Sequence, residues 1–282
     1  LILQDDEILV EDNTILQIAS NIQEADEEID ADGALITPGF VDSHTHPIFS
    51  GNRANEFEMR VGGKTYKEIS ESGGGIISSI NGVRNIDEDQ LFEECLERVN
   101  FFLGHGTTTI EAKSGYGLTT EDELKSLKVI KRLNEASPLE IIPTFMGAHA
   151  FPPEYQGNQP KYIDLICEEM IPAVAEEKLA EYCDVFCEEG YFSVEDSRRI
   201  LETAINFGLL PRLHADEFKD SGAAELTAEV GAVSADHLMA VSDKGIQAMA
   251  DAGVIATLLP GTTLFLGKTS YAPGRKIIDF GC

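Results

Sequence analysis

The sequence is poor in positive charge. Lys and Arg number 21 against 50 Asp and Glu, and the formal charge at pH 7 is −29. So acidic a surface repels phosphate backbones, so no nucleic acid and no membrane is expected as a partner. An anionic small molecule would need an arginine or lysine placed for it. Long apolar runs are also missing. The longest uncharged stretch, residues 252–267, has 16 residues and contains Pro260 and three glycines. A spanning helix needs roughly 18–20 apolar residues. No basic segment followed by an apolar one opens the chain, so no secretory signal is read. The five cysteines, an odd number without a C-x-x-C pair, do not form a disulfide framework. A reducing, cytoplasmic location is expected. There is no short solenoid repeat, and no glycine fingerprint for a dinucleotide follows the first barrel strand. Gly73-Gly74-Gly75 is not followed by Lys-Ser or Lys-Thr, so it reads as a flexible loop and not a phosphate cradle.

What is present is ordinary globular material: 282 residues, 43% hydrophobic and 25% charged. Residues 1–29 interleave apolar and polar positions, as in Glu7-Ile8-Leu9-Val10-Glu11, and read as short strands around the turn Glu11-Asp12-Asn13. From Leu35 onward, short apolar runs alternate with amphipathic stretches, the pattern of βα units around a parallel sheet. Strands are expected at 35–42, 107–112, 140–146, 183–188, 209–213, 232–235 and 254–259. Leu91, Cys95, Val99 and Phe102 recur at helical spacing. Thr120-x-x-Glu123 resembles a capping box, and Ser193 opens a helix carrying Ile200, Leu201, Ala204 and Ile205. The last helix is expected near 272–280. Seven units predict an α/β fold, a (β/α)8 TIM-type barrel over residues 35–282 lacking its last strand, with a partial small β domain over residues 1–34.

Histidine is scarce as well, six in all. His44, His46, His149, His214 and His237 fall at or just after the C-terminal end of an expected strand, which in a barrel is the catalytic face. A buried structural histidine is the ordinary reading for any one of them alone; five at one end point to a site. His105 precedes its strand and reads as structural. In His44-Thr45-His46 the two imidazoles point to the same side of a strand and can share a metal ion. Cys183 and Cys187, four apart in a strand, read as core.

The run from Pro38 to His46, Pro-Gly-Phe-Val-Asp-Ser-His-Thr-His, resembles the signature of the amidohydrolase superfamily. The segment from His46 to Arg53, Glu111-Ala112-Lys113-Ser114-Gly115-Tyr116-Gly117, Met146-Gly147-Ala148-His149, His214-Ala215-Asp216-Glu217-Phe218, Ser234-Ala235-Asp236-His237-Leu238 and Leu259-Pro260-Gly261 follow in order. Together they are similar to the imidazolonepropionase family from about residue 31 onward. The resemblance implies hydrolysis of the cyclic amide 4-imidazolone-5-propanoate to N-formimino-L-glutamate in histidine degradation, with one Zn2+ or Fe3+. It implies His44, His46 and His214 as metal ligands, and Arg53, Tyr116, His149 and Glu217 as substrate-binding residues. Glu217 would be the acid–base group beside the attacking water, and His237 would orient or polarise the reacting carbonyl. A homo-oligomer, a dimer, is expected. Dinuclear relatives carry a bridging lysine on strand four; residues 182–190 have none, which argues for a single ion. Arg53 offers a planar cation for the substrate's propionate.

Other readings stay open at this point. A surface charge for Arg53, mere packing for Tyr116 and a pairing of Glu217 with Lys219 are the less favoured readings. The family's fourth ligand is an aspartate on strand eight; here the late Asp279 falls on the preceding helix, so a shortened and weakly active chain is expected. Another cyclic amidohydrolase or aminohydrolase, and a non-catalytic metal-binding module, are the competing functions.

Overall fold

The computed structural model describes residues 6–22, 25–64, 68 and 74–282. The chain separates into two compact units, Leu1–Pro38 and Gly39–Cys282. In the first, β1 (Glu7–Glu11) and β2 (Thr14–Ala19) pair antiparallel, with Glu11 opposite Thr14. The expected turn lies between them, and Asp12 adopts a left-handed φ of 53° to close it.

The second unit holds seven parallel strands: β3 (Phe40–Thr45), β4 (Thr107–Lys113), β5 (Glu140–Ala148), β6 (Tyr182–Cys187), β7 (Leu210–Ala215), β8 (Ser234–His237) and β9 (Ile255–Thr257). They pair in sequence order from β3 to β9 as a nearly closed barrel wall. Helices follow the strands, as the alternating pattern predicts. Helix Glu88–Gly104 buries Leu91, Cys95 and Val99, and Asp87 caps it by accepting the Gln90 N–H at 2.8 Å. Ser193 caps helix Val194–Asn206 in the same way, accepting the Asp196 N–H at 3.1 Å.

Several boundaries differ from the sequence expectation, each for a local reason. β3 begins at Phe40 and not at Leu35. Pro38 has no N–H to give a ladder, and pairing starts where the Phe40 N–H meets the Gly106 carbonyl at 2.9 Å. β9 is three residues long because Pro260 opens an unanticipated helix, Pro260–Phe265. The cap of helix Thr120–Ala136 is Thr119, which accepts the Asp122 N–H, and Glu123 bonds elsewhere. Gly73 lies outside the described residues; Gly75 stands just before helix Ile76–Arg84, at its N-cap.

Burial grades across the barrel wall. Ile110, Phe145, Val185, Leu213 and Ala235, on β4 to β8, are fully buried. β3 and β9 each have one strand neighbour among the described residues, and Phe40, Val41 and Ile255 are all more than 60% exposed. Cys183 and Cys187 are buried core residues, as expected. His105 is exposed and its Nδ1 lies 2.8 Å from the Phe101 carbonyl, a local structural role. No helix among the described residues is long and apolar enough to cross a membrane.

Candidate active site

Five histidines converge at the C-terminal ends of the strands. His44 lies in β3, His214 in β7 and His237 in β8; His46 and His149 follow β3 and β5 directly. The ring centroids of His44 and His214 are 4.6 Å apart, those of His44 and His237 5.1 Å, and those of His46 and His149 5.0 Å. The ring of Tyr116 lies 5.1 Å from His149 and 5.9 Å from His46. His44, His214 and His237 each offer an atom within 4.8 Å of the others. His46 joins them through Nε2, 3.3 Å from Nε2 of His214.

That last contact is informative. His214 Nδ1–H donates to Asp184 Oδ1 at 3.0 Å, so its Nε2 carries a lone pair. An imidazole nitrogen facing a lone pair at 3.3 Å needs a shared proton or a cation between them. Burial, reinforced by the neighbouring imidazoles, holds His46 and His214 well below the usual histidine range. Burial likewise lowers His149 to about 4 and His237 to about 3. Nδ1 of His46 and Nε2 of His237 are buried without a hydrogen-bond partner. Neutral, convergent, unsatisfied imidazoles suit a transition-metal ion, and the residues present fit one.

Beneath the imidazoles lies a charged layer that sequence reasoning missed. Lys113, fully buried, places Nζ 2.7 Å from both Glu111 Oε1 and Asp184 Oδ2 and 3.8 Å from Asp236 Oδ2. Asp184 also accepts the His214 backbone N–H at 3.1 Å. His44 Nδ1–H donates to Asp236 Oδ2 at 2.7 Å, and Arg212 donates to the same oxygen at 3.3 Å. The two carboxylates thereby fix the Nδ1–H tautomers of His44 and His214 and leave both Nε2 atoms facing the cluster. Burial pushes the Asp184 and Asp236 carboxyls up, but for Asp184 the Lys113 charge, and for Asp236 the His44 hydrogen bond with the Lys113 charge, hold both below the usual carboxylate range. Strand parity is the signal that finds this layer: Glu111 with Lys113, Arg212 with His214, and Ser234 with Asp236 each stand two apart on one strand face.

Glu217, just past β7, behaves differently. Burial, with the charge of Glu188 next, raises its carboxyl to about 7. Its Oε1 is 3.6 Å from His237 Nδ1. Lys219 pairs with Glu189 and not with Glu217. Glu188, also missed in the sequence, accepts the Phe218 N–H at 2.8 Å and so braces the turn that carries Glu217. His237 and Asp216 hold left-handed backbone angles, φ 77° and 48°, a conformation that persists in such residues only where the surroundings enforce it. Arg53 precedes helix Ala54–Val61, and its Nε and Nη2 donate to Glu56 Oε2 at 2.9 and 2.7 Å. Its guanidinium fork is thus engaged by a buried carboxylate.

Comparison with known proteins places this geometry. No family model matches the chain. Among solved structures it is similar to 5-methylcytosine deaminase from Klebsiella pneumoniae, with a TM-score of 0.73 at 18% identity over 98% of this chain and 69% of that one. It is also similar to guanine deaminase from C. acetobutylicum, with a TM-score of 0.68 at 16% identity over 100% and 68%. The fold is that of the amidohydrolases. Among curated relatives, imidazolonepropionase of Brevibacillus brevis is 53% identical over 99% of this chain and 68% of its own length. That of Clostridium tetani is 50% identical over the same shares. The chain belongs to the imidazolonepropionase family of hydrolases.

Proposed function

We propose that the protein hydrolyses 4-imidazolone-5-propanoate to N-formimino-L-glutamate in histidine degradation. The observation that carries this reading is the convergence of His44, His214 and His237 beside a carboxyl, Glu217, held near 7. His44, His46 and His214 would hold one Zn2+ or Fe3+. The ion would supply Lewis acidity, which lowers the pKa of water and polarises an amide carbonyl.

The chain's own groups would do the rest. With a pKa of about 7, Glu217 takes a proton at Oε at neutral pH and gives it back. It accepts the proton of the attacking water and passes it to the ring nitrogen as the C–N bond breaks. His237, neutral, turns its buried Nε2 edge to the reacting carbonyl. Tyr116 and His149 bind the ring. His149 Nδ1–H donates to the Gly115 carbonyl at 2.9 Å, so its Nε2 is an acceptor for a substrate N–H. Arg53 takes the propionate, sharing its fork with Glu56.

Loss of the imidazolone ring absorbance on addition of the protein is the assay. Robust guanine deamination without imidazolone turnover would replace this reading with that of another aminohydrolase. A cytoplasmic location fits the five cysteines, none of them in a disulfide. The expected homodimer rests on the family resemblance and is checked by light scattering.

A further inference from the structure

The loop that carries Tyr116 is gripped by groups to which the mechanism above gives no part. Glu123 projects from the first turn of helix Thr120–Ala136 and is fully buried. Its Oε2 accepts the N–H of Gly115 at 3.0 Å, and its Oε1 accepts those of Gly117 and Leu118 at 2.9 and 2.8 Å. From the other side, Arg84 donates through Nε to the Gly117 carbonyl at 2.7 Å and through Nη2 to that of Leu118 at 3.3 Å. Arg84 is itself held by Glu154 at 2.8 Å. One carboxylate and one guanidinium therefore bind the amides and carbonyls of the same short segment.

The two glycines of the segment are required by this arrangement. Gly115 has φ 106°, and a Cβ there would come within 2.9 Å of the Met146 carbonyl and 3.0 Å of His149 Nδ1. A Cβ on Gly117 would lie 2.6 Å from Asp122, inside the helix start. Both contacts press the loop against the elements that present His149 and Glu123. The Gly115 carbonyl, turned by this conformation, receives His149 Nδ1–H. The grip on the loop therefore sets two things at once: where the Tyr116 ring stands, and which nitrogen of His149 is left as an acceptor.

We propose that Glu123 is a positioning residue for substrate, acting through the Gly115–Leu118 loop on Tyr116 and His149. This rests on the reading of Tyr116 and His149 as substrate contacts. A carboxylate suits the task because it satisfies three N–H donors without needing a proton of its own. An aspartate would keep the charge but withdraw the oxygens by one methylene. A glutamine would keep the reach but turn an N–H2 group toward an N–H.

The test compares Glu123→Asp, Glu123→Gln, Arg84→Lys and Tyr116→Phe with the parent enzyme, reading KM, kcat, metal content per chain and amide hydrogen exchange over residues 114–118. Glu123→Asp is expected to raise KM roughly ten- to a hundredfold, the usual range for lost charged hydrogen bonds. Metal content should stay at the parent value, and kcat should fall far less than kcat/KM. Glu123→Gln should recover part of the loss, and Arg84→Lys should move KM in the same direction. In the parent the amides of Gly115, Gly117 and Leu118 should exchange slowly. Parental KM in Glu123→Asp with faster exchange over the loop would make the grip purely structural and overturn the proposal. Unprotected amides in the parent would overturn it even if the Glu123 variants fail to fold. If Tyr116→Phe leaves KM unchanged, the substrate-contact reading fails; if it raises KM while Glu123→Asp does not, only the present inference fails.

Discussion

Two layers at the same end of the barrel titrate in opposite senses. In the upper layer, burial holds His46, His149, His214 and His237 neutral and keeps a proton on Glu217 up to a pKa of about 7. In the lower layer Lys113, Asp184 and Asp236 stay charged. The difference is the partner. Lys113 has two carboxylate oxygens at 2.7 Å, and its attraction to them outweighs the cost of taking it from water. Glu217 feels the like charge of Glu188, and the imidazoles have mostly one another. Depth sets the penalty for charge; the sign and distance of the neighbour decide whether it is paid.

The sharpest probe of the upper layer is Glu217→Gln. It is expected to keep the metal and lose about 10²–10⁴ in kcat. Loss of metal in that variant would make Glu217 a ligand and assign the proton to another group. Lys113→Met breaks the lower layer. It leaves Glu111 and Asp184 buried without their cation, which typically costs about 3–5 kcal/mol. Denaturant unfolding should show that loss, and chelator competition should show weaker metal binding, because Asp184 and Asp236 would no longer be held to orient His214 and His44. A variant as stable as the parent would mean that Arg212 alone holds the layer together.

Arg53→Ala lies outside both layers and serves as the control. It should raise KM by roughly ten- to a hundredfold through the lost propionate contact while leaving metal affinity untouched. An unchanged KM would mean that another cation holds the propionate.

The smallest effect is the pH dependence of the metal-free protein. His149, with a pKa of about 4 when folded and 6.5 otherwise, takes a proton on unfolding between those values. Its contribution to stability is therefore present above 6.5 and lost as pH falls to 4. Glu217 acts the other way: its folded value of about 7 against 4.5 gives stability below 4.5 that is lost as pH rises to 7. His149 and Glu217 by themselves cancel between 4.5 and 6.5, but His237, at about 3, and His46 and His214, also held low, act in the same sense as His149, so the melting temperature should rise between pH 4 and 6.5, and more steeply in Glu217→Gln. A flat profile in both proteins would place the two layers in the same titration regime.

Much of the site is legible along the chain. His44 and His46 are two apart on one strand, and all five site histidines fall where apolar runs end; these are local facts that strand parity and the βα alternation expose. The small misreadings are local too. Thr119 caps where Thr120 was expected, because Glu123 finds three better donors in a loop that no capping pattern reports. β3 starts at Phe40 because Pro38 carries no donor for the ladder.

By itself the sequence determined the barrel, the family and the strand ends where the histidines stand. These follow from periodicity and from residue types at short spacing, which every copy of the chain carries before it folds. Only the tertiary structure decided the protonation states and the layer that sets them. Lys113 and Asp184 are 71 residues apart, and His44 and Asp236 192. In sequence Lys113, Asp184 and Asp236 are each one more charged residue in an acidic chain, and nothing local pairs His44 with Asp236. Folding brings each pair to 2.7 Å at buried positions, and there the desolvation penalty and the partner's charge, neither of which has a local signature, fix what each group can do.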